Sequence, residues 1–514
     1  MGELTFAVPT LFGLEGLCAD EMRRLDIANV KAENGRVLCT GAPEQIARLN
    51  LNLRTGERVL LVLGSFPAES FDALFEGVKA LPWEQFIPRD GQFPVKGHSL
   101  NSVLQSVPAC QSIVKKAVAS RLGSKYGMNT LPETGAVYQI QFSIMKDVAT
   151  LMLDTSGAGL HKRGYRPRGV DAPMRETLAA AMVMLSRYKG RDPLCDPFCG
   201  SGTIPIEAAL IAKNRAPGLN RTFAAMEYPW MDEKIWKMVK EEAQDKEFHG
   251  DYRIVGSDND PSCVSLCFAN ARKAGVSDIV TFKDGDATKM PLPTDSGIIV
   301  CNPPYGERIS APDLLGLYKM IGERLKHQFV DNDAWVLSYR EECFEQIGLK
   351  PSLRTPLFNG SLECELRKYQ IFSGRFNEMR AQGGDIKTAQ ERRMMADRRR
   401  FKQHREFKDR LEENPEERIR KSDRRSAEGS FERKGRKWRD EDTRGERRGE
   451  RRFDRRDDRR SEKDFRSSDR DRKGGSWKDE RSDRRTSIKK EGAERRGGNN
   501  PFARKGDKNK FNRK

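Results

Sequence analysis

The charge distribution along the chain changes abruptly near residue 378, and this change limits which part of the chain can fold. Residues 378–514 contain 49 Lys+Arg and 31 Asp+Glu, so 80 of these 137 residues are charged. A segment with so few apolar side chains cannot bury enough surface to offset the chain entropy lost on folding. The sequence therefore predicts a disordered Arg/Lys/Asp-rich tail over residues 377–514, and folded domains before it.

The folded part is neutral, with 45 Lys+Arg and 45 Asp+Glu, so the net charge of +18 lies in the tail. No run of 18 apolar residues occurs, which argues against a membrane protein. The N-terminal MGELTFAVPT lacks a signal-peptide layout, so we expect an intracellular, cytoplasmic protein.

The C-x3-C spacing of Cys195/Cys199 and Cys263/Cys267 differs from zinc-site spacing, which favours buried thiols and no metal.

Two small α/β units are predicted before residue 161. Residues 1–60 alternate apolar runs with turn signals in the order strand, helix, strand, helix. Residues 61–160 contain a strand over Gln92–Leu100, a long helix, and a hairpin that turns at Lys146-Asp147.

Two windows without any acidic residue are candidate RNA-binding surfaces, because clustered cations attract phosphates. The first window runs from Gln92 to Pro132, and the second is HKRGYRPRGV at residues 161–170. Their candidate RNA-binding residues are Lys96, Lys115, Lys116, Arg121 and Lys125 in the first window, and Lys162, Arg163 and Arg166 in the second. A solvated helix face is the alternative interpretation of the first window.

Residues 190–373 alternate strands with helices, and a helix over APMRETLAAAMVML precedes them. The predicted strands are residues 193–196, 252–258, 279–285, 297–302, 334–339 and 362–372. This alternation predicts a doubly wound, mostly parallel α/β sheet. Ligands bind such sheets outside the carboxyl ends of the strands.

The first strand ends in DPFCGSGT, which joins a carboxylate to a glycine turn and a helix N-terminus. Asp196 precedes Gly200, Gly202 and Thr203. The third glycine of a dinucleotide-binding turn is missing, and a carboxylate suits a cationic amino group better than a pyrophosphate. This pattern favours the methionine part of S-adenosylmethionine over an ordinary strand-to-helix turn.

Acidic residues also end the next two strands. Asp258 is placed to accept hydrogen bonds from ribose hydroxyls, and Asp286 from an adenine amino group. The long gap after Asp196 indicates an insertion over about residues 215–251, which contains Arg221, Phe223, Tyr228, Trp230 and Trp236. These side chains either cover a substrate base or form a packed lid without substrate contact.

The fourth strand is followed by Asn302-Pro303-Pro304-Tyr305. The Asn302 side-chain oxygen and the Pro303 carbonyl can each accept a hydrogen from one amino group, while Tyr305 offers a face for a flipped base. An exocyclic amine is a poor nucleophile, so positioning replaces strong base catalysis. This motif, on the same sheet edge as DPFCGSGT, indicates an amino-group methyltransferase.

With these motifs the sequence resembles the THUMP-domain S-adenosylmethionine-dependent RNA methyltransferases, closest to the 23S rRNA guanine-N2 methyltransferases of the RlmL type. The resemblance covers about residues 1–374 and includes HKRGYR, DPFCGSGT, IAKNRAPGLNR, GSDND and NPPYGER. It implies a ferredoxin-like domain (1–60), a THUMP RNA-binding domain (61–160) and a Rossmann-like class I methyltransferase domain (161–376).

The resemblance also implies site residues and partners. Arg175, Glu176 and Thr177 match the family's helix near the cofactor S-adenosyl-L-methionine. The expected partner is RNA, as 23S rRNA or its assembly intermediate, bound by a monomer with a single methyltransferase activity. Two alternatives stay open: a tRNA guanine-N2 or DNA adenine-N6 methyltransferase, and a non-catalytic RNA-binding ribosome-assembly factor.

Overall fold

The computed structural model describes residues 2–166, 174–287, 297–305 and 311–372. The predicted disordered tail and Arg168 of the second acid-free window lie outside the described residues. In the part of the chain that is described, no helix is long and apolar enough to cross a membrane.

The N-terminal half is built on one seven-stranded sheet. Its elements are β1 (Leu4–Pro9), α1 (Glu15–Arg24), β2 (Ala28–Glu33), β3 (Arg36–Gly41), α2 (Glu44–Asn52), β4 (Leu60–Pro67), α3 (Phe71–Ala80), β5 (Val95–Leu100), α4 (Val107–Tyr126), β6 (Ile140–Met145) and β7 (Val148–Asp154). The strand order is β2-β3-β1-β4-β7-β6-β5, with neighbours antiparallel except the parallel β5–β6 pair.

This sheet runs through both units predicted before residue 161. Strand β4 pairs with β1 on one side and with β7 on the other, so it joins the two units. The predicted hairpin is confirmed, and Lys146 and Asp147 both adopt positive φ values, as a tight two-residue turn requires. Strand β2 was not predicted, because none of its side chains is buried and it shows no apolar alternation.

The C-terminal half forms a second seven-stranded sheet. Its elements are α5 (Glu176–Leu185), β8 (Leu194–Asp196), α6 (Thr203–Ala212), α7 (Glu233–Asp245), β9 (Ile254–Asp258), α8 (Pro261–Ala274), β10 (Val280–Asp284), β11 (Ile298–Cys301), α9 (Ala311–Gln328), β12 (Asp333–Ser338), α10 (Glu341–Ile347), β13 (Leu353–Asn359) and β14 (Leu362–Gln370). The strand order is β10-β9-β8-β11-β12-β14-β13.

The predicted doubly wound sheet is confirmed. Strands β10, β9, β8, β11 and β12 are mutually parallel, and β14 and β13 add an antiparallel edge. All six predicted strands occur, with ends close to the predicted ones. Strand β13, whose alternate residues are buried between exposed ones, was not predicted.

The insertion over residues 215–251 packs against the N-terminal sheet. Tyr228 stacks on Tyr138 with a ring separation of 4.5 Å and donates a hydrogen bond to the Asp154 carbonyl oxygen at 2.7 Å. Trp230 donates to the Phe86 carbonyl oxygen at 3.1 Å. These aromatic side chains were expected either to cover a substrate base or to form a packed lid. In the described structure Tyr228 and Trp230 are packed against the N-terminal half.

The linker between the halves contains a buried ion pair. Arg163 is 2% exposed and lies 3.4 Å from the Glu207 carboxylate on α6, which is itself fully buried. The Arg163 guanidinium also donates to the carbonyl oxygens of Leu53, Arg54 and Leu160. This network fixes α6 against the loop that follows α2.

Candidate cofactor and RNA site

The site lies where three parallel strands end side by side. Asp196 is the last residue of β8, Asp258 is the last residue of β9, and Asn302 directly follows β11. Strand β8 lies between β9 and β11, and the order of the sheet reverses between β8 and β11. A crevice outside the strand ends at such a reversal is the usual ligand site of doubly wound sheets.

The Asp196 carboxyl is buried, and only one of its oxygens is used. The backbone N–H of Phe198 donates to Oδ1 at 3.0 Å, while Oδ2 has no hydrogen-bond partner among the described residues. Burial, with a smaller contribution from Asp258, raises the pKa of Asp196 to about 8. A buried carboxylate oxygen without a donor fits the cationic amino group of an amino-acid ligand.

The glycine turn after β8 has the backbone geometry predicted from DPFCGSGT. Gly200 and Gly202 have φ values of +53° and +83°, which favour glycine. A Cβ at Gly200 would meet no atom within 4 Å, so the turn leaves open space there. Thr203 begins α6, whose first N–H groups face the end of the strand.

Asp258 connects this turn to the neighbouring strand. Its Oδ2 accepts a hydrogen bond from the Gly200 N–H at 2.9 Å, and its Oδ1 accepts from the Asp260 N–H at 3.1 Å. Each oxygen keeps a further lone pair for a ligand hydroxyl. Asp286 is exposed and follows β10, the strand beside β9. The two acidic residues thus lie on adjacent strand ends.

Like Asp196, Asn302 has a side-chain oxygen without a hydrogen-bond donor among the described residues. Its Oδ1 is buried and receives no hydrogen bond from the described residues. Leaving such an acceptor unsatisfied costs about 1–3 kcal/mol, which a donor on a ligand would recover. Pro303, whose carbonyl was predicted as the companion acceptor, is buried beside it.

Tyr305 does not present the open face that the sequence analysis assigned to it. Its ring is 8% exposed, its hydroxyl accepts a hydrogen bond from the Asn359 amide at 2.7 Å, and burial raises its pKa to about 12. The ring instead meets Tyr339 edge-on, with 5.4 Å between the ring centroids. Tyr305 is held in this way because the unpredicted strand β13 supplies Asn359.

Tyr339 was missed by the sequence analysis. It directly follows β12, the parallel neighbour of β11, and 37% of it is exposed. Its hydroxyl accepts a hydrogen bond from Arg340 Nε at 2.9 Å, and the Arg340 guanidinium lies over its ring. Although strand 334–339 was predicted, the Arg340-Glu341-Glu342 stretch after it matches no motif that would have marked the site.

Arg175 and Thr177, at the start of α5, contact the N-terminal half. Thr177 donates to Glu57 Oε1 at 2.6 Å, and Arg175 lies 3.4 Å from Glu57 Oε2. Although burial opposes ionisation, hydrogen bonds from His161 and Thr177 hold the pKa of Glu57 below its usual range. These contacts connect the start of α5 to the loop before β4.

Glu176 pairs with Arg166, and Arg166 also lies 3.4 Å from the Thr203 hydroxyl. The RNA-binding prediction therefore needs correction for two residues of HKRGYR. Arg163 is buried against Glu207, and Arg166 is neutralised by Glu176, so neither offers a free cation at the surface. Lys162 remains exposed.

In the folded protein, acidic side chains from outside the first acid-free window pair with three of its five cations. Lys115 pairs with Glu133 at 2.6 Å, and Arg121 pairs with Glu84 at 2.6 Å, with Lys125 3.9 Å from the same carboxylate. Both acidic residues lie just outside the window in sequence but fold back onto α4. The two remaining cations, Lys96 and Lys116, are exposed.

The ten cysteines are free thiols, nine of them buried. Cys199 and Cys267 approach to 3.8 Å between their sulfur atoms. Within the described ranges, no group of three His, Cys, Asp or Glu side chains is arranged to hold a metal ion.

Comparison with known proteins gives three family matches in the order of the chain. The "RlmL ferredoxin-like domain" matches residues 5–60, the "THUMP domain" residues 68–154, and the "RMKL-like, methyltransferase domain" residues 163–368. The "Putative RNA methyltransferase YpsC" of Bacillus subtilis is 40% identical over 376 residues, which span 72% of this chain and 96% of that protein.

The chain belongs to the THUMP-domain S-adenosylmethionine-dependent RNA methyltransferases.

This methyltransferase also resembles longer proteins. The "Ribosomal RNA large subunit methyltransferase K/L" of Vibrio campbellii is 33% identical over 388 residues, which span 73% of this chain and 55% of that protein. The chain thus spans about half the length of these K/L relatives.

Among solved structures, the methyltransferase matches SMU.472, "a putative methyltransferase complexed with SAH", at 36% identity and a TM-score of 0.69, covering 73% of this chain and 100% of that one. It also matches a Listeria monocytogenes protein described as "a predicted N6-adenine-specific DNA methylase" at 41% identity and a TM-score of 0.69. This match covers 72% of this chain and 97% of that one. The predicted fold class and the cofactor, S-adenosylmethionine, are therefore confirmed.

Proposed function

We propose that this methyltransferase acts on the exocyclic N2 amine of a guanine in 23S rRNA. The observation that carries the proposal is the pair of buried oxygens without partners, Asp196 Oδ2 and Asn302 Oδ1, at neighbouring strand ends. One suits a cationic amino group of the cofactor, and the other suits the hydrogens of an amine to be methylated.

The residues around β8 fit S-adenosylmethionine. Asp196 would hold its amino group, the N–H groups at the start of α6 its carboxylate, and Asp258 its ribose hydroxyls, with Asp286 near the adenine. When bound, the cofactor supplies an electrophilic methyl group on a sulfonium sulfur. Gly200 lets the backbone pass close to the ligand, because a Cβ there would enter open space, whereas a Cβ on Gly202 would come within 3.1 Å of the Cys267 sulfur.

Asn302 would orient the target amine. Its Oδ1 accepts one amine hydrogen and the Pro303 carbonyl accepts the other, which fixes the direction of the nitrogen lone pair. A guanine amine is a weak nucleophile because it is conjugated to its ring, so this fixed geometry supplies the catalytic advantage.

Tyr339 would carry the stacking role first assigned to Tyr305. It is the more exposed ring, and Tyr305 supports it edge-on. Stacking of a base on an aromatic side chain contributes about 1–3 kcal/mol. Tyr305, fixed by Asn359, would then act as a positioning residue.

The printed names of the K/L relatives support ribosomal RNA as the substrate, and the THUMP match supports RNA over DNA. The name of the Listeria relative keeps adenine N6 of DNA as a second candidate. A tRNA guanine remains the alternative within RNA. A non-catalytic RNA-binding role is disfavoured, because it gives no reason to keep Asp196 and Asn302 unsatisfied.

Methylation with labelled cofactor tests the proposal. The purified protein is offered 23S rRNA, 16S rRNA, tRNA and duplex DNA, and the labelled nucleosides are separated after digestion. We expect N2-methylguanosine from 23S rRNA. Label in N6-methyladenine, or label confined to tRNA, would contradict the proposed substrate, and absence of label from all four would contradict the activity.

A further inference from the structure

A positively charged notch lies between the linker and the insertion, outside the site at the strand ends. Its polar lining consists of Lys162, Asn220, Arg221, Thr222 and Lys240, and its volume is about 490 Å³. No carboxylate lines it among the described residues. We call these five residues the basic notch.

The basic notch is a built feature rather than a chance grouping of surface side chains. The Arg221 guanidinium donates to the carbonyl oxygens of Ala158, Gly159 and Lys162 at 2.6, 2.7 and 3.0 Å. The Asn220 amide donates to the Lys273 carbonyl oxygen at 2.9 Å, which fixes the loop against the end of α8. Residues 211–221 are the IAKNRAPGLNR stretch, for which the catalytic site gives no role.

The charge of the basic notch is not neutralised by the described residues. Arg221 hydrogen-bonds only to neutral carbonyl groups, and neither Lys162 nor Lys240 forms an ion pair in the described ranges. Burial, together with the charges of Arg163 and Arg58, lowers the pKa of Arg221 to about 10, and the more weakly acting carboxylates of Asp154 and Glu176 offset only part of this shift. Three like charges around one cavity repel one another, and a bound anion would relieve this repulsion.

We propose that the basic notch binds a backbone phosphate of the RNA substrate, remote from the methylated base. The proposal rests on the proposed function, because it names a further contact with that substrate. A phosphate presents several acceptor oxygens to the two lysine ammonium groups, the Asn220 amide and the Thr222 hydroxyl. Such a contact increases affinity and sets the position of the RNA without reading its sequence.

The test neutralises the two exposed lysines and leaves Arg221 in place, because Arg221 holds the loop together. The variant is Lys162→Gln/Lys240→Gln. Its matched control is Lys319→Gln/Lys350→Gln, which removes the same charge from two exposed lysines that do not line the notch. RNA affinity is measured by titration at several salt concentrations, and kcat and KM by labelled methyl transfer.

We expect the notch variant to raise both the Kd and the KM for RNA about five-fold or more, with kcat and S-adenosylhomocysteine affinity unchanged. The slope of log Kd against log salt should fall by roughly 0.7 for each lysine–phosphate pair that the variant cannot form. The control should stay within two-fold of wild type in Kd. A notch variant indistinguishable from the control would overturn the proposal. Failure of the wild-type protein to methylate RNA would instead overturn the proposed function.

Discussion

At the residue scale, the site is defined by polar atoms that the fold leaves without partners. Asp196 Oδ2 and Asn302 Oδ1 are buried at adjacent strand ends, and each lacks a donor within the described chain. Burying a polar atom in this way costs free energy, so the fold is less stable without a ligand than with one. The effect of changing each residue should therefore appear in ligand binding and turnover.

The raised pKa of Asp196 predicts pH-dependent cofactor binding. In the free protein the carboxyl is protonated below about pH 8, whereas pairing with a cationic amino group requires the ionised form. Affinity for S-adenosylhomocysteine should therefore rise with pH, by up to about ten-fold per unit between pH 6 and pH 8, and level off above.

The matched variant for this prediction is Asp196→Asn, which keeps the shape and removes the charge. We expect its affinity at pH 8.5 to fall by about 10- to 100-fold, because a charge-assisted hydrogen bond is removed, and its pH dependence in this range to disappear. Calorimetric titrations at four pH values measure both effects. Equal pH profiles for the two proteins would remove Asp196 from the cofactor site.

Substitution of Tyr339 separates stacking from other roles. Tyr339→Phe keeps the ring and should retain turnover within about three-fold, while Tyr339→Ala removes the exposed face and should weaken RNA binding or turnover by roughly ten-fold. Steady-state methyl-transfer assays with both variants measure this difference. Equal activity of the Ala and Phe variants would show that no base stacks on Tyr339.

At the scale of secondary structure, the parallel strands and the motifs at their ends could be predicted from sequence. The strand ending in Asp196 and the hairpin turning at Lys146-Asp147 depend on local signals, namely an apolar run followed by a turn. Edge strand β2 lacks such a signal, because its residues are exposed or half-buried.

The roles of individual cations could not be predicted in this way. The acid-free windows are free of acidic residues only along the chain, and Glu84 and Glu133 reach Arg121 and Lys115 through the fold. The exposure of Tyr339 and the burial of Tyr305 likewise depend on β13 and β12, which lie far from the NPPY motif in sequence.

The buried Arg163–Glu207 ion pair predicts that substitutions of the neighbouring cations Arg163 and Lys162 differ in their effect on stability. Arg163→Ala leaves the buried Glu207 carboxylate without its cationic partner, with only the Tyr165 hydroxyl among the described residues donating to it at 3.1 Å, and should lower the free energy of unfolding by about 3–5 kcal/mol. Lys162→Ala, at an exposed position, should stay within about 0.5 kcal/mol of wild type. Urea denaturation followed by circular dichroism measures both variants.

A second variant checks the cause of that destabilisation. Arg163→Ala/Glu207→Gln removes the uncompensated charge and should be more stable than Arg163→Ala, though less stable than wild type. If Arg163→Ala were as stable as Lys162→Ala, the buried pair would not hold α6 to the N-terminal half.

At the scale of the whole molecule, the charged tail is a separate element of the sequence. Residues 378–514 carry the entire net charge but also 31 acidic residues, so their Arg and aromatic side chains can contact RNA while the acidic ones weaken each contact. We expect deletion of residues 378–514 to lower affinity for RNA in general and to flatten its salt dependence, without changing the modified nucleotide. Binding isotherms at two salt concentrations measure this. Equal affinities and slopes would favour a solubility or localisation role.

The central claim is that the Asn302 side-chain oxygen positions the amine that receives the methyl group. The most direct measurement compares wild type with Asn302→Ala in single-turnover methyl transfer to RNA, alongside calorimetric titration with S-adenosylhomocysteine. We expect a rate lower by about two orders of magnitude or more, with cofactor affinity within a few-fold of wild type. An unchanged rate of methyl transfer in the variant would contradict it.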